Sequence, residues 1–300
     1  MSTNKTPLWF NFASAGSAGA FAWCVVHPFN TASIRMNLAS ASAPAGTKPL
    51  NFFPFLGKML KERGVGSLYD GLGAGVLRQL VYATARIGLF EVFRDEIAKH
   101  REIDFASRLV AGLSAGGCAA LLSCPCEVTL VRLSNDALLP EADRRGYTGI
   151  SNAFTRILKE EGSGAFFRGC SPFVNRALLV GLVQVGTYEQ FRVKYREWGV
   201  ASLYANVMCS SFSAGLLYSI VTNPFETVKN RMAFQRADPT TGQLPYKSTV
   251  QTIRLIAKTE GPIMLWAGFL PYFLRCGGHT VTMFMVMEWM RKMYQGQMKN

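Results

Sequence analysis

The 300-residue sequence predicts an all-α membrane protein whose six transmembrane helices form a pseudo-threefold bundle. Three observations predict this class. Hydrophobic residues make up 49% of the chain and charged residues only 17%, which is apolar for a soluble protein. Three stretches without charge, 8–26, 109–126 and 202–223, approach the ~20 residues that cross a bilayer as a helix. A set of Pro, Gly, Arg and Glu residues recurs every 97–99 residues, which predicts three copies of one unit.

The composition excludes several other classes of protein. A net charge of +13 would suit nucleic-acid binding, but the hydrophobicity does not, so no nucleic-acid partner is expected. Seven Cys spread over the chain do not resemble a secreted disulfide scaffold. The sequence offers no nucleophile–base pair, no set of metal ligands and no phosphate-binding loop in a suitable context. We therefore expect no enzyme activity, no metal and no cofactor.

The repeat divides one domain, residues 1–300, into units at about 8–100, 101–199 and 200–300. The recurring positions are Pro28, Pro125 and Pro224; Arg35, Arg132 and Arg231; Gly64, Gly162 and Gly261; Gly71, Gly169 and Gly268; Arg78, Arg176 and Arg275; and Glu91, Glu189 and Glu288. Each unit begins with a Gly/Ala/Ser-rich apolar segment, continues through a short amphipathic helix such as 150–160, and ends with a second apolar segment.

Two spans in each unit give six. Their predicted bounds are about 8–36, 73–98, 106–134, 171–195, 203–233 and 270–294. The prolines lie inside the odd-numbered spans, because the apolar pattern continues beyond them to Arg35, Arg132 and Arg231, so we expect kinks there and not helix ends. An even number of spans places both termini on one side of the membrane.

Arginines within the spans predict an anion site. Arg78, Arg176 and Arg275 are equivalent by the repeat and should lie at one level, facing the central axis. Arg86 lies eight residues beyond Arg78, about two turns, on much the same face. Unpaired guanidinium groups at membrane depth are functional by default, and their planar fork suits carboxylates. The set predicts a site for a small dianion; the alternative is that some of these arginines only hold backbone carbonyls or kinks.

The odd-numbered spans carry a motif that is similar to the first motif of the mitochondrial carrier family, Pro-x-[Asp/Glu]-x-x-[Lys/Arg]. It is complete in the third unit, at Pro224, Glu226 and Lys229. The second unit keeps the proline and the acid but not the base, and the first unit has lost both charges. These departures are Glu127 followed by Leu130, and Asn30 followed by Ser33.

The even-numbered spans carry the second motif of that family, [Phe/Tyr]-[Asp/Glu]-x-x-[Lys/Arg], with its acid and base in all three units and with Met287 at the aromatic position of the third. It reads Phe90-Glu91 with Arg94, Tyr188-Glu189 with Arg192, and Met287-Glu288 with Arg291. The chain resembles the family over its whole length. The runs 77–91, 144–162, 166–180 and 271–281 are most similar to members that exchange 2-oxoglutarate for malate.

The resemblance implies a multi-pass antiporter of the mitochondrial inner membrane, with three short helices on the matrix side. It would exchange 2-oxoglutarate for malate or a related dicarboxylate by alternating access, as a monomer, with cardiolipin as a bound lipid. Both termini would face the intermembrane space, since the loops within the units hold 14 Lys/Arg against 9 Asp/Glu and would face the matrix. The alternatives are another dicarboxylate or uncoupling-type carrier, or a membrane scaffold that does not transport.

The resemblance and the spacing together assign three sets of residues. The substrate-binding set is Arg78, Thr84, Arg86, Arg176, Ala177, Gln184 and Arg275. The matrix gate is Pro28, Pro125, Glu127, Pro224, Glu226 and Lys229. The cytoplasmic gate is Glu91, Arg94, Glu189, Arg192, Glu288 and Arg291.

The lost charges predict a weak matrix gate. In the family each acid meets the base on the next odd helix, so Glu127 would meet Lys229, whereas Asn30 would face Leu130 and Glu226 would face Ser33. One full ion pair would then close the matrix side. At the other mouth, we expect the three Glu/Arg motifs to form a ring between helices; the alternative is local pairs of residues three apart within one helix.

Overall fold

The helices follow the three-unit pattern. The computed structural model describes residues 8–41, 49–136, 139, 144–200, 202–236 and 243–297. In chain order its α-helices are α1 (Leu8–Ala41), α2 (Phe52–Arg63), α3 (Leu72–Ala98), α4 (Phe105–Asp136), α5 (Ile150–Glu161), α6 (Cys170–Glu197), α7 (Leu203–Phe234), α8 (Thr249–Thr259) and α9 (Phe269–Gln297). Each unit thus has two long helices with a short one between them.

The six long helices close into a ring. Each packs against two neighbours, in the order α1, α3, α4, α6, α7, α9 and back to α1. When only the long helices are counted, α1, α4 and α7 are the odd-numbered helices and α3, α6 and α9 are the even-numbered helices. The three odd-numbered helices also contact one another. Large apolar side chains such as Phe21, Leu122 and Phe212 are exposed on this bundle, as a surface facing lipid requires. The predicted six-helix pseudo-threefold bundle is confirmed.

The prolines do not end their helices. Pro28, Pro125 and Pro224 lie inside α1, α4 and α7, which run on to Ala41, Asp136 and Phe234. The observed odd-numbered helices therefore extend beyond the predicted ends of their spans, because the segment after each proline is held by buried contacts with the other two.

Only some of the long helices are recognisable as spans from hydropathy. Within the described residues, two are long and apolar enough to cross a membrane by composition alone, Phe105–Asp136 and Ala205–Phe234. The even-numbered helices fail this criterion because they carry charged residues such as Arg78, Arg86 and Glu91. In a ring of helices such residues can face the interior in place of lipid.

Close backbone contacts explain the recurring Gly71, Gly169 and Gly268. Each precedes an even-numbered helix with a positive φ of 80°, 83° and 71°, which favours glycine. A Cβ on any of them would lie 2.9 Å from an atom of the next odd-numbered helix: the Ser134 hydroxyl, the Lys229 carbonyl or the Ser33 carbonyl. The glycines therefore let the three units interlock at the C-terminal ends of the odd helices.

In each unit, one buried arginine ties the first long helix to the segment that connects the two long helices. Arg35, Arg132 and Arg231 have fully buried side chains. Arg132 Nη1 and Nη2 donate to Glu161 at 2.5 and 3.0 Å, and Arg231 Nη2 donates to Glu260 at 2.7 Å. Both acids end, or directly follow, the short amphipathic helix of their unit.

The first unit makes the equivalent ion pair with exchanged charges. The position of Glu161 and Glu260 is occupied by Arg63, which cannot pair with Arg35. The acid is supplied instead by Asp70, whose Oδ2 lies 2.8 Å from Arg35 Nη2. In the second unit the position of Asp70 is held by a base, Arg168, which pairs with Glu161. The first unit has therefore exchanged an acid and a base between two positions while keeping the contact.

This exchange predicts a compensating pair of substitutions. Asp70→Arg alone should lower the free energy of unfolding by about 2–3 kcal/mol, because it leaves Arg35 buried beside a like charge. This loss is somewhat smaller than the loss on breaking a fully buried ion pair. Adding Arg63→Glu restores the arrangement of the other units and should recover at least half of that loss. Thermal unfolding of the native protein, of Asp70→Arg, of Arg63→Glu and of the double variant measures this coupling. Equal stability of the single and double variants would contradict the exchange.

The same contacts predict a dependence of stability on pH. Burial alone would raise the pKa of Glu161, but its hydrogen bonds to Arg132 and the nearby charges of Arg132 and Arg168 hold the pKa below its ordinary value of 4.5. A lowered folded-state pKa stabilises the protein above about pH 4.5 and loses this effect as the pH falls below it. Unfolding of Glu161→Gln should therefore be less sensitive to pH between about 5 and 3 than unfolding of the native chain. An unchanged acid slope would contradict this.

Candidate functional site

A lysine joins two buried glutamates where α4 meets α7. Lys229 Nζ lies 2.5 Å from Glu127 Oε1 on α4 and 2.8 Å from Glu226 Oε1 on its own helix. Glu127 is 5% exposed and Glu226 is 1% exposed, so neither carboxylate is solvated by bulk water. The sequence predicted the pair between Glu127 and Lys229, and the structure brings the two together.

The three repeated arginines reach the same two acids. Arg78 Nε lies 3.3 Å from Glu127 Oε2, and Arg176 Nε lies 3.3 Å from Glu226 Oε2. Arg275 Nη2 lies 3.7 Å from Glu226 Oε1. The expectation that these arginines are unpaired is therefore wrong in this conformation. Residues assigned separately to the substrate site and to the matrix gate form one network.

The network carries more positive than negative charge. It contains Arg78, Arg176, Arg275 and Lys229 against Glu127 and Glu226, which leaves two positive charges uncompensated. The ion pairs also leave a donor free, since Arg275 pairs through Nη2 and its Nε lacks a hydrogen-bond partner among the described residues. A buried donor without a partner is costly. The site can therefore accept a further anion with two negative charges.

An aromatic ring supports each arginine, which the sequence analysis missed. The guanidinium of Arg176 lies 5.5 Å from the ring centre of Phe173, and that of Arg275 lies 4.8 Å from the ring centre of Tyr272. Each ring comes three residues before its arginine on the same helix. Such contacts stabilise a cation and fix its position. The signal was available as an aromatic residue three places before the arginine in two units.

In the first unit a different helix supplies the ring. The position three before Arg78 is Gly75, and the guanidinium instead lies 4.3 Å from the ring centre of Trp23 on α1. A Cβ at Gly75 would come within 2.1 Å of Trp23 Nε1, so the glycine makes the space for the indole. No pattern along the sequence links these two positions, because they belong to separate helices.

The other predicted substrate residues make no ion pair with the network among the residues that the structure describes. Thr84 and Arg86 are exposed on α3, and Arg86 forms no ion pair with any residue that the structure describes. Ala177 is partly buried and packs against the apolar cluster around Cys124 and Phe173. The Gln184 side chain lies outside the described part of the structure.

The matrix gate is closed by more than the predicted ion pair. Asn30 is buried, and its amide nitrogen has no partner among the described residues. Ser33 donates its hydroxyl to the Gly268 carbonyl at 3.3 Å and not to Glu226. Glu226 is held by Lys229 and two of the repeated arginines instead. The arginines thus add contacts that the motif alone did not predict, while the weak closure of this gate stays a prediction.

The cytoplasmic gate residues make local contacts. Arg192 lies 3.7 Å from Glu189 on the same helix, and Arg94 pairs with its neighbour Asp95 at 2.8 Å. The side chains of Glu288 and Arg291 lie outside the described residues. The predicted ring between helices is absent from the part of the gate that is described. Alternating access gives the physical reason, since two gates that open in turn are not closed together.

Comparison with known proteins agrees with this geometry. Three copies of the mitochondrial carrier protein family model match residues 4–101, 101–198 and 200–298. The chain belongs to the mitochondrial carrier family. Members of this family are transporters and not enzymes, and the chain is a multi-pass protein of the mitochondrial inner membrane.

Curated relatives of this carrier cover nearly its whole length. A mitochondrial 2-oxoglutarate/malate carrier protein of Caenorhabditis elegans is 35% identical over 286 residues, covering 94% of this chain and 92% of the relative. The Homo sapiens protein of the same name is 33% identical, with 97% and 92% coverage. Mitochondrial uncoupling protein 4 of Arabidopsis thaliana is 31% identical, with 94% and 97% coverage.

Removing one acid of the network should open and destabilise the matrix side of the carrier. Glu127→Gln leaves Arg78 buried without its ion pair, so the free energy of unfolding should fall by about 3 kcal/mol. Glu102→Gln is the control, because that glutamate is exposed in the loop before α4. Thermal unfolding and the rate of exchange measure the effect. If both stay unchanged in Glu127→Gln, the gate assignment is wrong.

Proposed function

We propose that the carrier exchanges 2-oxoglutarate for malate or a related dicarboxylate across the mitochondrial inner membrane. The observation that carries this proposal is the surplus of two positive charges at the buried network, together with Arg275 Nε, a donor without a partner among the described residues. Guanidinium groups bind carboxylates with charge-assisted hydrogen bonds, which favours a dianion over a neutral solute. The names of the relatives support the same substrate class.

The substrate would open the gate by competing with its acids. Carboxylates of the substrate and the carboxylates of Glu127 and Glu226 require the same guanidinium groups. A bound dicarboxylate therefore weakens the contacts from Arg78, Arg176 and Arg275 to those acids. Binding then supplies the difference in free energy between the closed and open states that alternating access needs. The carrier therefore exchanges substrates and does not move one alone, because without a bound substrate it returns to the closed network of ion pairs.

The setting in the membrane is part of the proposal. Both termini face the intermembrane space, and the carrier works as a monomer. Cardiolipin binds at the matrix ends of the second and third units, near the amides of Gly169 and Gly268. The first unit is a poorer lipid site, because Asp70 brings a negative charge beside Gly71 and is engaged by Arg35.

Replacing the arginines tests the substrate. Counterflow of labelled 2-oxoglutarate into malate-loaded liposomes should fall roughly 10- to 100-fold in Arg176→Ala and in Arg275→Ala, since each loses charge-assisted hydrogen bonds to the dianion. Arg196→Ala is the matched control, because this arginine is exposed in the last turn of α6.

Two results would count against the proposal. If Arg176→Ala and Arg275→Ala both exchange 2-oxoglutarate at the native rate, the dianion binds elsewhere. Proton conductance without exchange by the native carrier would favour an uncoupling-type activity instead, and no uptake of any dicarboxylate would favour a scaffold.

A further inference from the structure

A cavity lies on the matrix side of the closed gate, apart from the central network. Its volume is about 390 Å³, and it is formed by the ends of α1, α4 and α7. Its walls include Arg35, Leu38, Asn135, Arg231, Phe234 and Tyr246. This volume is within the range of sites for small organic ligands.

The cavity occurs where the threefold pattern of hydrogen bonds is incomplete. Arg35 Nε donates to the Ser134 carbonyl at 2.9 Å, and Arg132 Nε donates to the Ala233 carbonyl at 3.2 Å. Each carbonyl belongs to the ninth residue after the proline of the next odd helix. The equivalent acceptor for Arg231 is the Asn37 carbonyl, and that bond is not made in the part of the chain that the structure describes.

Two arginine donors at this cavity therefore have no acceptor. Arg231 Nε and Arg35 Nη1 are buried and lack a hydrogen-bond partner among the described residues. Both residues are only 1% exposed, so bulk water does not supply an acceptor. Leaving such donors unsatisfied costs free energy that an acceptor would recover. Their paired acids, Glu260 and Asp70, are already engaged on other nitrogens.

The surroundings add positive charge to an apolar wall. Arg145 Nη2 donates to the Phe234 carbonyl at 3.1 Å, and its Nη1 has no partner among the described residues. Burial lowers the pKa of Arg145 to about 10, so it remains a cation at neutral pH. Leu38, Ala39 and Phe234 give the rest of the wall no further donors.

We infer that this cavity is a second anion site, which takes the carboxylate of a small organic acid from the matrix. One carboxylate oxygen accepts from Arg231 Nε and the other from Arg35 Nη1, while the hydrocarbon part of the ligand contacts Leu38 and Phe234. A phosphate would fit less well, because its remaining oxygens are on the same atom and would face apolar side chains without donors, whereas the second carboxylate of a dicarboxylate is held away by its hydrocarbon chain and can stay in water. The inference does not depend on which substrate occupies the central network.

Occupancy of this site would regulate the carrier. The walls of the cavity are the ends of the odd helices, which Lys229 and Glu127 hold together only while the matrix gate is closed. A ligand that binds this arrangement stabilises it at the expense of the open state. High matrix concentrations of the acid therefore slow the opening of the carrier toward the matrix.

Counting bound ligands tests the site. Equilibrium binding of labelled glutarate to the purified full chain should show one site fewer in Ala39→Trp than in Leu158→Trp. Ala39 is exposed and lines the cavity, so the indole fills it, whereas Leu158 is an exposed position on α5 outside the cavity. The comparison is independent of the central network, because a failure of that network to bind glutarate removes one site from both variants.

A second variant examines the donor itself. Arg231→Lys keeps a cation opposite Glu260 but removes the Nε–H group, and it should weaken glutarate binding at this site about tenfold. Excess phosphate should not displace glutarate from the site. Equal numbers of sites in Ala39→Trp and Leu158→Trp would overturn the inference, and displacement by phosphate at equal affinity would overturn its assignment to carboxylates.

Discussion

The contact of Lys229 with Glu127 and Glu226 is the constraint on which the closed carrier depends. Two carboxylates can stay ionised in this dry interior only with cations around them, and the lysine joins both while linking α4 to α7. The repeated arginines complete the compensation and leave a positive surplus. Closure of the gate and attraction of an anion therefore have one electrostatic origin, so neither can be altered without affecting the other.

The first unit differs from the other two at the central network and at the ion pair of the buried arginine. It has Asn30 where they have acids, and a glycine where they have the aromatic ring that supports an arginine. Its matrix ion pair uses Asp70 in place of an acid at position 63. The threefold frame therefore holds an asymmetric charge pattern, with two acids and not three at the centre. A ligand with two negative groups has as many acidic groups as this centre.

The frame of the bundle was predictable from the sequence because glycines and prolines recur where the backbone requires them. Gly169 and Gly268 touch the backbone of the next odd helix, and Pro125 lies inside a helix as expected. The pairing of the arginines with the gate acids was not predictable, because the two sets lie on different helices and no period along the sequence relates them. The contact of Trp23 with Arg78 was not predictable either, because a contact between two helices produces no periodic pattern along the sequence.

The indole of Trp23 gives the molecule its own optical probe. It lies 4.3 Å from the Arg78 guanidinium in the closed state and is almost fully shielded from solvent. Because the ring belongs to α1 and the cation to α3, any separation of these helices changes the electrostatic field at the chromophore. The emission of this indole, one of five in the chain, should therefore change when α1 and α3 separate, whereas Phe173 and Tyr272 stay on the same helix as the arginines that they support.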